Sequence, residues 1–453
     1  MRAAVVGGGI AGLAAAWELS SQAEVTVVEP ERLGGKILTE QFEGRPVECG
    51  PDAFITRSPD ALRLCAEIGV DDLVAPSVGR TLLWWKGRCR ALPEGLVLGV
   101  PRHLGPLVRS GLLSPLGLIR VAGDLVLPAR AHDGDLSVHQ LVAERFGAEV
   151  ADRLVDPLVG SIHAGPTAEL SAAATVPQLL EAASRSRSLL WSLRRQVPAT
   201  PPATPLFLTP RAGLSTLVGR LLEQLKARGT VFETTPVTGL GAGPGRRWQL
   251  EPYGGNAFDV VVLATSPGQA HNILGARGAS ELESIEGASV AIATLGYPAL
   301  DLPDGVNGVL VPPSEGLLMT ACSFGSAKWP HWANPGRTIL RVSTGRAGDT
   351  RAFDLSDDQL VDRLADDVGR ILGVRASPDT WRINRWPDAM PQYRVGHLER
   401  MNRVTAALRR THPGVALAGS GYHGAGIPAC IASGREAAHR ALTAMAAPAA
   451  GGE

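Results

Sequence analysis

The opening residues constrain this chain more than any other stretch. A short apolar strand, Ala3 to Val6, runs into Gly7-Gly8-Gly9-Ile10-Ala11-Gly12, an apolar-periodic helix follows over Leu13 to Leu19, and a second strand, Val25 to Val28, ends at Glu29. In this spacing Gly7 permits a tight turn, Gly9 lets backbone approach a pyrophosphate, and Gly12 lets helix and strand pack closely. The helix N-terminus offers unpaired N–H groups to phosphate, and the Glu29 carboxylate can accept from ribose hydroxyls while repelling a ribose 2′-phosphate. A dinucleotide site is expected. The same segment reads poorly as a secretory leader, because no cleavage segment follows the glycines.

With 453 residues the chain exceeds one simple core, and two or three domains are expected. Lys plus Arg equals Asp plus Glu at 44 each, so no global field favours nucleic acid or an acidic membrane, and no nucleic-acid reading motif is present. Apolar stretches are interrupted before they reach the length of a membrane span, which leaves peripheral membrane contact open. Cys49, Cys65, Cys89, Cys322 and Cys430 are scattered without a CxxC pair, as expected of isolated thiols in a reducing compartment, with no metal site.

Beyond the first unit, residues 58–74 read as an amphipathic helix with Leu62, Cys65, Ile68 and Leu73 on its stripe. Thr81 to Trp85 and Arg90 to Pro93 read as a hairpin around Lys86-Gly87. Helical runs over Ser137 to Phe146, Ala148 to Val155 and Val176 to Leu190 suggest a mainly helical insertion, and the proline-rich residues 198–207 suggest a connector or a flexible rim. Gly213 to Leu225 then reads as a helix, Thr230 to Glu233 as a strand, and Ala257 to Leu263 as a buried parallel strand. Ser289 to Leu295 and Thr338 to Ser343 alternate as strands of a second sheet, and Leu355 to Leu372 reads as a helix. The fold class is therefore α/β and α+β. It comprises a discontinuous Rossmann-like cofactor domain (1–75, 207–270 and 410–453), a mixed-sheet substrate domain (76–104 and 271–409), and a mainly helical insertion and connector (105–206).

Four further segments are distinctive: GPDAFITR (50–57), SIHAGPTAELS (161–171), AMPQYRVGHL (389–398) and GYHGAGIPACI (421–431). On these, with ERLGGK (31–36) and the opening glycines, the chain resembles the protoporphyrinogen/coproporphyrinogen oxidase family. The wider superfamily also holds flavin amine oxidases and phytoene desaturases. The resemblance spans essentially the whole chain and is strongest to the soluble bacterial coproporphyrin-forming branch. It implies an amine-oxidase-like architecture and FAD contacts at Gly7, Gly8, Gly9, Ile10, Ala11, Gly12, Glu29, Lys36, Gly50, Pro51, Asp52, Ala53, Val237 and Ile427, with Gly426 shaping the last. Val237 would act through its backbone near adenine, and a plain core role fits that residue equally.

The resemblance further implies six-electron oxidation of coproporphyrinogen III to coproporphyrin III in cytoplasmic haem biosynthesis, with molecular oxygen as acceptor and hydrogen peroxide as product. Protoporphyrinogen IX or an amine as substrate, or a flavoprotein or haem-pathway binding partner without turnover, are the alternatives, and a partner that takes the product onward is left open. The flavin carries the redox chemistry, so no Ser/His/Asp constellation is needed and the catalytic residues stay unassigned. Four propionates call for cations around a wide apolar cavity, and Arg57 and Arg80 are the candidates, each with structural ion pairing as the competing role. His397, His423, Tyr393 and Tyr422 either tune the flavin, transfer a proton or hold a turn; Trp84, Trp85, Trp191, Trp329 and Trp386 either wall the cavity or pack.

Overall fold

The computed structural model describes residues 1–127, 134–195, 204–245, 247–254, 256–275 and 279–446. Residues 198–203 of the expected connector and the chain end after 446 lie outside the described residues.

Five parallel strands form the first sheet: β1 (Arg2–Val6), β2 (Glu24–Val28), β3 (Val231–Glu233), β4 (Val260–Leu263) and β5 (Val415–Leu417), in spatial order β3-β2-β1-β4-β5. The near-continuous apolarity of β1 and β4 follows from burial on both faces. Because side chains alternate along a strand, Ala3 and Val5 enter one core while Ala4 and Val6 enter another. The first core is closed by α1 (Ile10–Leu19), the helix Ser215–Ala227 and the long helix α3 (Ile427–Ala446). The second is closed by the helix Pro267–Leu274, by Leu282 and Ile285, and by Met401, Val404 and Leu408 of α2 (His397–Thr411). These last residues sit on the parallel sheet although they fall within 271–409 of the sequence.

A seven-stranded mixed sheet forms the second body, in the order Thr380–Pro391, Gly287–Pro298, Arg337–Thr344, Met319–Phe324, Val306–Leu310, Arg80–Trp85, Arg88–Ala91. The expected hairpin around Lys86-Gly87 is present and joins this sheet through a parallel pairing with Val306–Leu310. The helix Asp357–Leu372 opens on a Ser356/Gln359 capping box, ends on Gly373 in the left-handed region, and packs Leu360, Leu364 and Val368 against the sheet. A further, mainly helical core gathers Leu83 and residues between Val100 and Leu193.

Four elements differ from the sequence reading, each for an identifiable physical reason. The helix expected over 58–74 spans Asp60–Ile68; Gly69 at φ 72° ends it, and Leu73–Val74 is a strand paired with Thr209 and Pro210. The strand expected over Ala257 to Leu263 splits at Asp259, whose carboxylate accepts from Arg2 N at 2.8 Å and Arg247 Nε at 2.9 Å. Val176 to Leu190 is two helices, Pro177–Arg185 and Leu189–Arg195. The buried carboxylate of Asp124 divides them by accepting from Ser188 Oγ at 2.8 Å and Leu190 N at 2.9 Å. Beyond Ala148–Val150 the chain widens into a π-helix, Ala151–Gly160, which contains Pro157 and so lacks one ladder donor.

Candidate functional site

Parallel strands deliver their following loops to one edge, and here the loops after all five strands gather at the C-terminal edge of the sheet. At Gly7 (φ 107°) an added Cβ would lie 2.5 Å from the Ala264 carbonyl oxygen, and at Gly12 it would lie 1.9 Å from that of Gly7, so both positions need glycine for packing. Gly9 is different. An added Cβ there meets nothing within 4 Å, which leaves clear space in front of the α1 N-terminus. That terminus has no side-chain cap, so its first N–H groups point at this space without a side-chain acceptor. The residues fit a dinucleotide phosphate: a cradle one methyl would fill, donors facing it, and a helix dipole of the right sign.

Glu29, at the end of β2, holds the neighbouring loop. Its carboxylate accepts from Gly8 N at 2.7 Å and Glu31 N at 3.0 Å. Gly34 N donates to Gly8 O at 2.8 Å, drawing the ERLGGK turn against the first glycines. Lys36 then reaches across the molecule, its Nζ donating to Ala389 O and to Ser420 Oγ at 3.3 Å, and burial lowers its pKa. Gly50 abuts the same turn, since a Cβ there would lie 2.2 Å from Lys36 O. Asp52 is committed elsewhere: it pairs with Lys328 Nζ at 2.7 Å and Arg341 at 3.5 Å and accepts from Trp329 Nε1 at 3.2 Å. Burial would push its carboxyl up, but the two cations outweigh this and hold it at about 2. Any contact Asp52 makes with a cofactor is thereby left to its backbone.

The second glycine-rich segment follows β5. Gly419 (φ 121°) and Gly424 (φ 142°) bend the chain back before α3 starts at Ile427. Two aromatic residues hold this bend. The Tyr393 hydroxyl donates to Ser420 O and accepts from Gly424 N at 3.0 Å. His397, fully buried and stacked on Tyr393 at 4.3 Å between ring centroids, lies with Nε2 2.8 Å from Tyr422 O. Burial pushes its imidazole down to about 4, so the ring is neutral, and the carbonyl partner requires the proton on Nε2. Of the roles open to Tyr393 and His397, holding a turn is the one the contacts fit. Tyr422 is buried with its hydroxyl on Thr265 O at 3.2 Å, and His423 is exposed.

Gly7 to Gly12, Glu29 and the ERLGGK turn are thus bonded to one another after β1 and β2, Gly50 abuts Lys36, and Lys36 reaches Ser420 in the bend that precedes Gly426 and Ile427, while Ala53 packs beside Phe42, Trp329 and Trp332. Val237, half-buried on the loop after β3, packs against the second core. The tryptophans mostly pack: Trp329 is fully buried, Trp84 and Trp85 lie against separate cores, and Trp386 donates to Cys49 O at 2.9 Å. Trp191 is exposed, with Arg195 over its ring. The five cysteines are free thiols. Among the described residues no His/Cys/Asp/Glu group could hold a metal, and no helix is long and apolar enough to cross a membrane.

A cavity of about 110 Å³ lies between the end of the π-helix and the large sheet. Gly160, Ser161 and Ala164 form one wall, Ala291 and Thr344 another, and Met390, next to the Ala389 carbonyl that Lys36 holds, connects it toward the parallel-sheet edge. Neither Arg57 nor Arg80 lines it. Arg57 is exposed beyond the short strand Phe54–Ile55, and Arg80 is exposed at the start of its strand; neither has an ion pair among the described residues. Arg80 pairs with Val306, whereas Ala321, beside the lining residue Thr320, is level with Leu310 and Leu83. Three residues of strand rise and two strand spacings separate Arg80 from Ala321, on the order of 14 Å. The cation that does line the cavity is Arg346, which the sequence reading missed because an arginine between Gly345 and Gly348 looks like an exposed turn.

The sequence pattern described as flavin containing amine oxidoreductase matches residues 10–442. The coproporphyrinogen III oxidase of Bacillus subtilis (strain 168) is 33% identical over 459 aligned positions, covering 97% of each chain. That of Mycobacterium tuberculosis (strain ATCC 25618 / H37Rv) is 34% identical over 456, covering 97% of this chain and 96% of the relative. A crystal structure described as a protoporphyrinogen oxidase from Exiguobacterium sp. 255-15 superposes with a TM-score of 0.89 at 30% identity, covering 98% of this chain and 99% of the other.

Proposed function

The chain belongs to the flavin-containing amine oxidoreductase family, in its protoporphyrinogen/coproporphyrinogen oxidase branch, and we propose that it oxidises coproporphyrinogen III to coproporphyrin III with FAD as cofactor and molecular oxygen as acceptor. The observation that carries this reading is the near full-length similarity to bacterial coproporphyrinogen III oxidases. Six electrons and six protons leave the macrocycle, and three oxygen molecules take them up as three hydrogen peroxide molecules.

FAD, when bound, supplies the hydride acceptor and the route to oxygen. The protein's own residues hold and orient it. In this reading the N–H groups of the Gly7 to Gly12 segment receive the pyrophosphate and Glu29 the adenosine ribose. Lys36, the Gly50 to Ala53 backbone, Gly426 and Ile427 border the flavin half, and the Val237 backbone borders adenine. The helix dipoles of α1 and α3 both favour the anionic parts of the cofactor. The neutral, hydrogen-bonded His397 and the doubly bonded Tyr393 shape the glycine-rich bend and need not carry protons. Exposed and without ion-pair partners among the described residues, Arg57 and Arg80 remain proposed cations for propionates at the rim.

Anaerobic mixing tests the reading. Coproporphyrinogen III is expected to bleach the bound flavin, and amines are not. Faster bleaching by protoporphyrinogen IX would replace the preferred substrate with that second reading, which the Exiguobacterium structure favours by its description. Stable FAD without peroxide formation under air would leave a flavoprotein without turnover. An unchanged KM for coproporphyrinogen III in an R57Q/R80Q double variant with native FAD content would remove both rim cations from the account.

A further inference from the structure

Arg346 sits in the turn that follows the strand Arg337–Thr344 and is the one arginine lining the cavity beside the π-helix. Its side chain is half-buried, yet no hydrogen bond or ion pair engages it among the described residues. Two acids act on it without pairing with it: Asp156 Oδ1 accepts from Thr167 N at 2.9 Å and Thr167 Oγ1 at 2.7 Å, and Asp349 takes the Arg351 guanidinium at 2.8 Å. Burial lowers the pKa of Arg346, with Asp156 and Asp349 opposing it only from a distance. A half-buried guanidinium without a partner has given up part of its hydration with no ion pair in return, and such a residue is suited to an anion supplied from outside.

The turn is also fixed in place. Gly345, at φ 86°, brings its Cα so close to the neighbouring strand that a Cβ would lie 2.5 Å from Ser289 O. Ala347 N donates to Ala164 O at 2.8 Å, tying the turn to the segment that ends the π-helix. Ala164 itself adopts φ 49°, a left-handed conformation rare outside glycine. A π-helix, a strained residue and an unpartnered cation therefore meet at one small cavity. At about 110 Å³ it admits an arm of a tetrapyrrole rather than the whole ring.

Resting on the reading of the chain as a porphyrinogen oxidase, we infer that Arg346 binds one propionate carboxylate of the substrate in this cavity and makes the site select a carboxylate arm over a neutral one. The guanidinium presents a planar pair of donors that matches a carboxylate, which a lysine cannot reproduce. A vinyl or ester arm in the same place would displace water from the half-buried guanidinium and leave it unpaired.

The test compares wild type, R346Q and R346K, each as FAD-loaded protein, on coproporphyrin III and its tetramethyl ester by fluorescence quenching, and on coproporphyrinogen III by anaerobic flavin bleaching. R346Q is expected to weaken coproporphyrin III binding by roughly 10- to 100-fold, as loss of a charge-assisted pair does, with ester binding unchanged. R346K is expected to recover only part of the loss. In bleaching, KM should rise while the limiting rate stays within about threefold, as for loss of uniform binding. R346Q with native FAD content that still prefers acid over ester as strongly as wild type overturns the inference. If wild type binds coproporphyrin III through Arg346 but coproporphyrinogen III never bleaches the flavin, the oxidase reading falls and the carboxylate site stands. If wild type does not distinguish acid from ester at all, the site falls.

Discussion

Gly434 of α3 faces Ala11 of α1 so closely that a Cβ on it would lie 2.1 Å from the Ala11 carbonyl oxygen and 3.0 Å from Ala15 N. This is how glycine-rich segments more than four hundred residues apart in sequence come to border one site. The contact is backbone against backbone, with no flexible side chain to give way. Gly434→Ala is therefore expected to destabilise the protein by roughly 1–3 kcal/mol, the usual range for overpacking a well-filled core. Gly219, inside the helix Ser215–Ala227 with nothing within 4 Å of its Cβ position, is the contrasting site. There alanine should stabilise by about 0.5–1 kcal/mol through helix propensity. Thermal unfolding of the two variants checks both signs, and G434A should also retain less FAD.

The glycines of the first turn should separate by experiment. Gly9 already has φ −70° and ψ 174°, which any residue adopts, and its Cβ position is empty. Gly9→Ala should fold with unchanged stability as apoprotein and bind FAD roughly tenfold or more weakly, a loss of about 1.4 kcal/mol. Gly12→Ala should instead lose apoprotein stability, because its Cβ would strike Gly7 O. Urea denaturation of apoprotein and FAD titration by fluorescence give the two readouts. Equal FAD affinity in G9A and wild type would remove Gly9 from the proposed cradle.

The local parts of this architecture are legible from sequence because their causes are local. The turn at Gly7, the acid ending β2 and the apolar run of β4 all sit within a few residues of the chemistry they signal. What was missed depends on distant partners. Nothing near Ser186 announces that Asp124, more than sixty residues earlier, will cap a new helix at Leu190. Asp259 reads as a tolerated interruption until its carboxylate is seen to bind Arg2 N and Arg247. Cations are harder to place from sequence, since a lone arginine has no periodicity. Arg57 and Arg80 stood beside distinctive motifs yet are exposed, while Arg346, in an ordinary-looking turn, lines the cavity.

Tyr393 links two features that sequence reading could only suspect. One hydroxyl both donates to Ser420 O and accepts from Gly424 N, spanning the bend before α3. Tyr393→Phe keeps the ring stacked on His397 and removes only these bonds, leaving the Gly424 N–H without its acceptor. The expected loss is about 1–3 kcal/mol for the buried group left unsatisfied. Hydrogen exchange at Gly424 and its neighbours should accelerate while that of β1 and β2 does not, and FAD retention should fall if the bend borders the flavin.

Glu48 gives the sharpest pH dependence. Its carboxyl is almost fully buried, and burial pushes its pKa from 4.5 to about 7 against the opposing hydrogen bonds from Leu214 N and Thr39 Oγ1. A raised folded-state value means the native protein holds this proton more tightly than the unfolded chain. Its contribution to stability is thus fully present below pH 4.5 and is lost as pH rises through about 7. That difference corresponds to stability on the order of 3 kcal/mol. Glu48→Gln replaces the titrating group with a neutral one of the same shape that still accepts from Leu214 N. The variant should match wild type near pH 5 and exceed it by roughly 1–3 kcal/mol at pH 8, so the difference between the two denaturation profiles isolates this residue from every other group titrating in the window. A difference that does not change with pH between 5 and 8 would mean that Glu48 keeps its charge in the folded core.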